Sequence, residues 1–590
     1  MSNGSADQAL AARTDLDAFS NAKRTLFALQ LTLAVDDILS IAATVVTDGP
    51  DDKSCDVIYL DRELGKLIIA QEYTATSANK LAASQTKAST LRQAVSWVLG
   101  QTPTTLPQRL QPAAKEVRQA FTDDIVQSVE LWFVHNLPES LNVQTELDAI
   151  CTDTRAILER LYPQLRSDPD ALTIRGHEVG QRTLDEWYRA SLNPISINQS
   201  FQVPVLGAFQ EDGDGWRAIC TSVDASWLYD LFHEYGTLLF SPNVRSYLGS
   251  RQSPRNINAG IKATVQREPD RLWAYNNGVT AIVHDAKLSS DGRTLTVNGL
   301  GIVNGAQTTG AIGNAAEVRS QIRGRVLVRF IKSESQETVR NIIRYNNRQN
   351  PTAPADFRSN DPIQARLVDE FADLGVVGYT GGRRGGVEDV IRRPGANQIS
   401  AVVAAQALAA FHQDPGLAYL DKALIWQENE RYSQIFTEQT TARHVLLCFT
   451  LLRSVQAAKL ALAQKGESHR TRDEETQYAL LRQRGSEFLL VAAIGGCMDT
   501  YLARSVNNPF SLEFGGAPDI LEAQEIWNRV VLPAMPLGAV CLGTALTAVG
   551  GLRSRSSISD AIVVFRGLVS STYDANRERY QKFAAIVRAS

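Results

Sequence analysis

Residues 47–74 read TDGPDDKSCDVIYLDRELGKLIIAQEYT, and the change of hydrophobic period within them decides the fold. Upstream, residues 15–40 repeat at helical spacing, with Phe19, Ala22, Leu26, Leu29 and Leu33 along one face. Past the turn-rich TDGPDDKS, the runs CDVIYLD and KLIIAQEYT are rich in β-branched residues, and RELG between them makes a hairpin. The helical period returns from Leu91 through Val95, Val98 and Leu99. SVELWFVHN then reads as a strand with Val129, Leu131 and Phe133 on one face, and a helix follows near 139–161. This order predicts an α/β domain over residues 15–190, with LNPISINQS as a linker behind it.

A second α/β unit is expected over residues 191–440, with strands in QVPVLGAF, GVTAIVHDA, LTVNGLGIVNG and RVLVRFIK. Beyond about 400 the pattern is helical, and residues 441–590 are expected to form an all-α region. The stretch VVLPAMPLGAVCLGTALTAVGGL from Val530 contains two prolines and many small residues, which favours a buried, broken helix over a membrane span.

A chain of 590 residues exceeds one core, and a net charge of −4 leaves no global basic field to draw it onto nucleic acid or membrane. Contact with nucleic acid therefore has to come from a local patch. Six scattered cysteines without a CxxC pair read as reduced, mostly buried thiols, and with no signal peptide apparent at the N-terminus the expected location is cytoplasmic. No phosphate-loop, nucleophile-elbow or zinc-helix motif occurs, and the seven histidines are dispersed along the chain.

Metal-dependent nucleases gather carboxylates on one or two Mg²⁺ ions. A hairpin supplies such a site when one acid opens its first strand and alternate residues of the second face the same side. Asp56 opens the first strand here, Ala70 and Glu72 share a face of the second, and Asp37, next to Asp36 on the preceding helix, offers a further acid. The segment resembles the PD-(D/E)xK nuclease core and the N-terminal part of AIPR (abortive infection phage resistance) proteins, whose second strand usually reads like IQSKY. Aligned on Tyr73, this chain has Ala70 where an acid or Gln is usual and Glu72 where Lys is usual. The resemblance implies Asp37, Asp56 and Glu72 as catalytic residues, with Asp56 and Glu72 holding Mg²⁺ or Mn²⁺. Glu72→Lys would rebuild the usual pattern.

The middle unit carries PNVRSYLG from Pro242, NAGIKAT from Asn258, YNNGVT from Tyr275, IVNGAQTTGAI from Ile302 and YNNRQNP from Tyr345. Asn-Gly pairs favour tight turns, and VNGAQTTGAI reads as strand, glycine turn and helix start, which leaves backbone N–H groups free. Neutral amides both donate and accept, so they suit bases, ribose or phosphate. Asn276, Asn277, Asn304 and Gln307 are expected to converge on one cleft, with Arg245, Asn347, Asn350 and the loop arginines Arg383 and Arg384 extending it. These motifs resemble the AIPR family in kind and order, and ENERYSQIF from Glu428 is again similar, whereas YTGGRRGG at Tyr379 departs from the family pattern. More distantly, the same segments resemble the ParB/sulfiredoxin-like fold.

The resemblance implies an antiphage defence effector. A PD-(D/E)xK-like α/β domain would act on nucleic acid, DNA and RNA fitting equally, under the control of a central α/β AIPR domain. The rival reading is a catalytically degenerate nucleic-acid- or nucleotide-binding sensor or scaffold. The expected partners are nucleic acid, a nucleotide ligand and further copies of the chain, with no membrane.

Overall fold

The apolar face read over residues 15–40 is buried, but three pieces carry it instead of one helix. A 3-10 turn spans Thr14–Phe19, followed by helices α1 (Lys23–Thr32) and α2 (Ile38–Val45). Leu33 is extended at φ −112° and ψ 151° and ends α1. The computed structural model describes residues 6–33, 38–47, 49, 51–76, 81–167, 172–192, 195, 197–243, 257–316, 319–347, 358, 361–379, 397–465, 469–548 and 551–589.

The hairpin forms as expected from β1 (Val57–Asp61) and β2 (Lys66–Tyr73), antiparallel, with Val57 opposite Ala70. Gly65 turns between them at φ 62°, where an added Cβ would lie 2.6 Å from the Ile125 carbonyl oxygen. Helix α3 (Gln111–Thr122) leads to β3 (Ser128–His135), and α4 (Leu141–Leu161) leads to β4 (Thr173–Val179). The sheet runs β1-β2-β3-β4, with β2, β3 and β4 parallel. β3 is apolar on both faces because both are covered: Leu131 and Phe133 join the core under α3 and α4, Trp132 and Val134 the core under α1. The domain closes with α5 (Gln181–Leu192).

LNPISINQS is not a linker throughout, because strand β5 (Ile197–Pro204) starts inside it. The central sheet takes in β6 (Ala208–Gly213), β7 (Trp216–Asp224), β8 (Val279–Ile282), β9 (Asp285–Leu288), β10 (Thr294–Asn304) and β11 (Arg325–Ser333). Its order is β5-β10-β8-β11-β7-β6, with β9 beside β10 and only the β8–β11 pair parallel. Helices α6 (Ala225–Tyr235), α7 (Ile257–Arg267), the single turn α8 (Leu272–Tyr275) and α9 (Ala306–Gly313) contribute to the core on one face. Helix α10 (Gln336–Asn347) covers Ile282 and Val303 on the other.

The helical region does not begin at 441. One core runs from Leu367 to Val587, so the helices before and after residue 440 belong to the same body. Its main helices are α11 (Pro362–Leu374), α12 (Ala401–Phe411), α13 (Ala442–Gln464), α14 (Ser486–Gly495), α15 (Ile520–Cys541) and α16 (Arg555–Ser571). It is not wholly α, because Leu512–Phe514 pairs antiparallel with Val587–Ala589. The proline-bearing stretch is a largely buried helix in two pieces, as expected, but the break is not at the prolines: α15 continues through Pro533 and Pro536 to Cys541, a second short helix spans Gly543–Thr547, and Leu532 and Val540 are exposed. Among the described residues α13 is long and apolar enough to cross a membrane, and it lies mostly buried within the helical core. Five of the six cysteines are buried and all six are free thiols.

This helical body grips the N-terminal domain through charged groups. Glu116 of α3 accepts from the Tyr419 hydroxyl at 2.8 Å and pairs with Arg484 at 3.4 Å. Arg484 also donates to the Ile58 carbonyl on edge strand β1 at 3.1 Å.

Candidate functional site

Asp56 sits at the point where β1 begins, and its carboxylate accepts from the Glu72 backbone N–H at 2.6 Å. It thereby satisfies a donor of β2 beyond the first residue of β1. Glu72 itself reaches the N-terminus of α1, accepting from the Arg24 N–H at 3.3 Å and from the Thr25 N–H and hydroxyl at 2.9 Å each. The reason lies in α1, whose N-cap is Ala22 and offers no side-chain acceptor. Burial nevertheless pushes the Glu72 carboxyl up to about 7, against the lowering pull of these donors. Ala70 is fully buried, and the Gln71 amide donates to the Thr90 hydroxyl at 2.6 Å. Asp37 lies outside the described residues.

Asp56 and Glu72 are thus neighbours through the backbone, yet each carboxylate serves a different N–H group. The Mg²⁺ or Mn²⁺ implied by the resemblance fits this arrangement poorly. Both Glu72 oxygens already accept from α1, and the described residues contain no group of three His, Cys, Asp or Glu side chains able to hold a metal.

The raised Glu72 value sets a pH dependence. Between about 4.5 and about 7 the folded chain keeps a proton that the unfolded chain has released. This contribution to stability is complete below the unfolded value and is lost as pH rises through the folded one. The N-terminal domain of the parent should lose stability relative to Glu72→Gln between about pH 5 and about pH 7.5, read from paired urea melts. Parallel pH profiles for the two proteins would refute it.

The two Asn-Gly turns of the central domain meet. Gly305, at φ 95°, starts α9, and a Cβ there would lie 2.9 Å from the Gly278 carbonyl oxygen. Only glycine allows both that φ and that approach. Asn276 accepts from the Gly278 N–H at 2.8 Å and donates to the Thr308 hydroxyl at 3.1 Å, tying the first turn to α9. Asn304, opposite Thr280 in the ladder, donates to the Asn346 carbonyl at 3.2 Å. Arg329 donates to the Thr280 hydroxyl at 2.8 Å and to the Asn346 side-chain oxygen at 3.2 Å. Asn276 and Asn304 therefore share one end of the sheet, Asn277 lies exposed in the first turn, and Gln307 is half-buried in the first turn of α9. No side chain caps α9. Arg245, Asn350, Arg383 and Arg384 lie outside the described residues, as does the side chain of Asn347.

Other side-chain groupings were not visible in the sequence. His412 and His444 approach to 3.0 Å, and the Cys448 thiol lies 3.5 Å from His444. Burial lowers both histidines, His412 to about 3 and His444 to about 4, so they are neutral at ordinary pH. Buried His135 pairs with Glu178 at 3.0 Å, and Glu178 also accepts from the Ser140 N–H ahead of α4. Glu139 likewise caps α5, accepting from the Thr183 N–H at 2.7 Å. Next to it, an open groove of about 410 Å³ is lined by Pro138, Gln181, Arg182 and Leu238 among others, and by none of the site residues expected from the sequence. His412–His444 and His135–Glu178 each join residues more than thirty positions apart, too far for any spacing rule to connect, whereas His444 and Cys448 are four apart on α13.

The molecule so described is a mixed α/β and helical protein whose glycine turns and amides meet at one end of the central sheet. Residues 240–529 match the family model described as AIPR protein, 290 of the 590 residues. The match reaches well past 440 into the helical body and leaves the N-terminal domain outside. No curated protein and no solved structure matches the chain.

Proposed function

We propose that the protein acts in abortive-infection defence against phage as a binding protein. Its central domain takes nucleic acid or a nucleotide at the turn edge, and the N-terminal α/β domain serves as a platform rather than a catalyst. The AIPR match over residues 240–529 carries the defence reading. The binding reading is supported by the meeting of the Asn276 and Asn304 turns beside the uncapped start of α9. The platform reading is supported by Glu72, whose carboxylate is occupied as the cap of α1.

Phage plating on cells making the protein tests this. The parent should protect. Asn277→Ala with Gln307→Ala, which touch no core contact described above, should abolish protection at unchanged protein abundance, while Asp56→Ala should keep it. In parallel, purified protein is incubated with plasmid DNA, single-stranded DNA and total RNA, with and without Mg²⁺ or Mn²⁺. Metal-dependent cleavage that disappears in a folded Asp56→Ala variant would replace the platform reading with the nuclease one. Lack of protection by the parent would overturn the defence reading.

A further inference from the structure

Beside the turn edge, the single helical turn α8 shows solvent two large aromatic side chains. Leu272 is buried, but Trp273 is 51% and Tyr275 63% exposed. Rings of this size normally bury most of their surface, and a soluble domain that leaves two of them out beside a polar turn has a use for their faces.

Tyr275 is also held in place. Arg271 donates to its hydroxyl at 2.9 Å, and Arg271 is in turn paired with Glu268 at 2.8 Å. The guanidinium carbon lies 5.9 Å from the ring centroid. The ring is thus anchored at its hydroxyl end, while most of its surface stays open. Immediately behind it come Asn276, fixed to Thr308, and the exposed Asn277.

The charge around this turn differs from that of the whole chain. Against a net charge of −4, exposed Arg267 and Arg271 flank it in sequence, and exposed Arg323 is brought beside it by the approach of Gly324 to Pro269 and Leu272. Of the two acids in the stretch, Glu268 is engaged by Arg271.

We infer that Trp273 and Tyr275, two residues apart and so on different sides of this helical turn, each offer a stacking face and together make a base-stacking platform for a single-stranded nucleic acid that crosses the turn, with Asn277 and the neighbouring arginines contacting bases and backbone. The inference rests on the binding reading above and narrows its ligand to an unpaired strand. Unpaired bases offer π-faces and free hydrogen-bonding edges, which aromatic rings and amides engage together. Duplex buries those faces, and a free mononucleotide would use one ring and leave the other idle. A protein partner would be expected to cover a continuous apolar patch, whereas here Arg271 lies against Tyr275 and exposed Glu268 and Asn277 are close neighbours of the rings in sequence.

The test is fluorescence anisotropy of labelled oligo(dT), a single-stranded RNA of mixed sequence and a DNA duplex, titrated with full-length protein. Single strands should bind more tightly than duplex, and affinity should fall as salt rises. Trp273→Ala and Tyr275→Ala should each weaken single-strand binding about tenfold or more, whereas Tyr275→Phe keeps the ring and should stay within about threefold. Circular dichroism melting confirms that the variants stay folded. If single strands bind and the two alanine variants bind equally well, the platform is wrong while the binding reading stands. Duplex preferred over single strand, with the rings dispensable, also overturns it. If no nucleic acid binds, the platform falls and the binding reading is left with a nucleotide ligand alone, and capture of a protein partner through Trp273 would then reassign the surface.

Discussion

Glu72→Lys, the substitution that rebuilds the usual nuclease strand pattern, should strongly destabilise the N-terminal domain instead of restoring a catalytic site. The Glu72 carboxylate accepts from two backbone N–H groups and a hydroxyl at the start of α1. Lysine has no acceptor, so those donors would be left without a partner in a part-buried position, which costs about 1–3 kcal/mol. The new ammonium would also face the positive end of the helix, adding about 0.5–1 kcal/mol in the same direction. A total loss of about 3 kcal/mol, within the range for breaking a buried charged contact, is a large part of a domain's stability. Glu72→Gln keeps one acceptor oxygen and should lose roughly half as much. Limited proteolysis followed by mass spectrometry distinguishes the cases, with the earliest cuts in the Lys variant falling within residues 6–192. A Lys variant as resistant as the parent would remove the capping role.

That role was hidden in the sequence because it links residues 48 positions apart. The strand pattern around LIIAQEY correctly gave the hairpin, but a pattern cannot tell a ligand from a cap. One signal was present: the sequence NAKRT opens α1 with Ala22 at the cap and no acceptor of its own, so the helix requires one from elsewhere. β4 and the first half of β5 escaped the reading for a different cause, while β7, WRAICTSVD, escaped it although it is an inner strand. β4, TIRGHEV, includes Gly and two charged residues, and β5, INQSFQVP, is polar and largely exposed. Both lie at the edge of their sheets, where one neighbour is enough to hold a strand and burial imposes little hydrophobic pattern. The Asn-Gly turns were legible because only glycine tolerates the φ of Gly278 and Gly305. That the two turns touch depends on β8 and β10 being neighbours, which is a property of the fold and not of either turn.

Removing Arg484 should loosen the N-terminal domain from the helical body. Arg484 and Glu116 have side chains 9% and 10% exposed, so each charge is largely withdrawn from water and depends on the other. In Arg484→Ala, Glu116 keeps only the Tyr419 hydroxyl, and the Ile58 carbonyl on edge strand β1 loses its donor. Stranding one member of a buried pair costs about 3–5 kcal/mol. The cost falls on a contact between bodies, because each domain has its own core. The contact has further ties: Lys459 donates to the Thr44 hydroxyl on α2, and Lys422 and Arg553 pair with Glu63 and Asp123. Lys459 is buried and paired with Glu487 inside the helical body, so it reaches the N-terminal domain by that one hydrogen bond, while the Lys422 and Arg553 pairs are more exposed and worth about 0–1 kcal/mol each, so these ties do not make up the loss. The expected result is a larger radius of gyration in small-angle scattering and faster cleavage between the domains, with helical content by circular dichroism unchanged. Arg484→Glu should be worse than Arg484→Ala, because it sets two carboxylates together. Adding Glu116→Arg to it restores opposite charges and should recover part of the loss, whereas no recovery would mean that the damage comes from lost packing and that the ion pair is not what joins the domains.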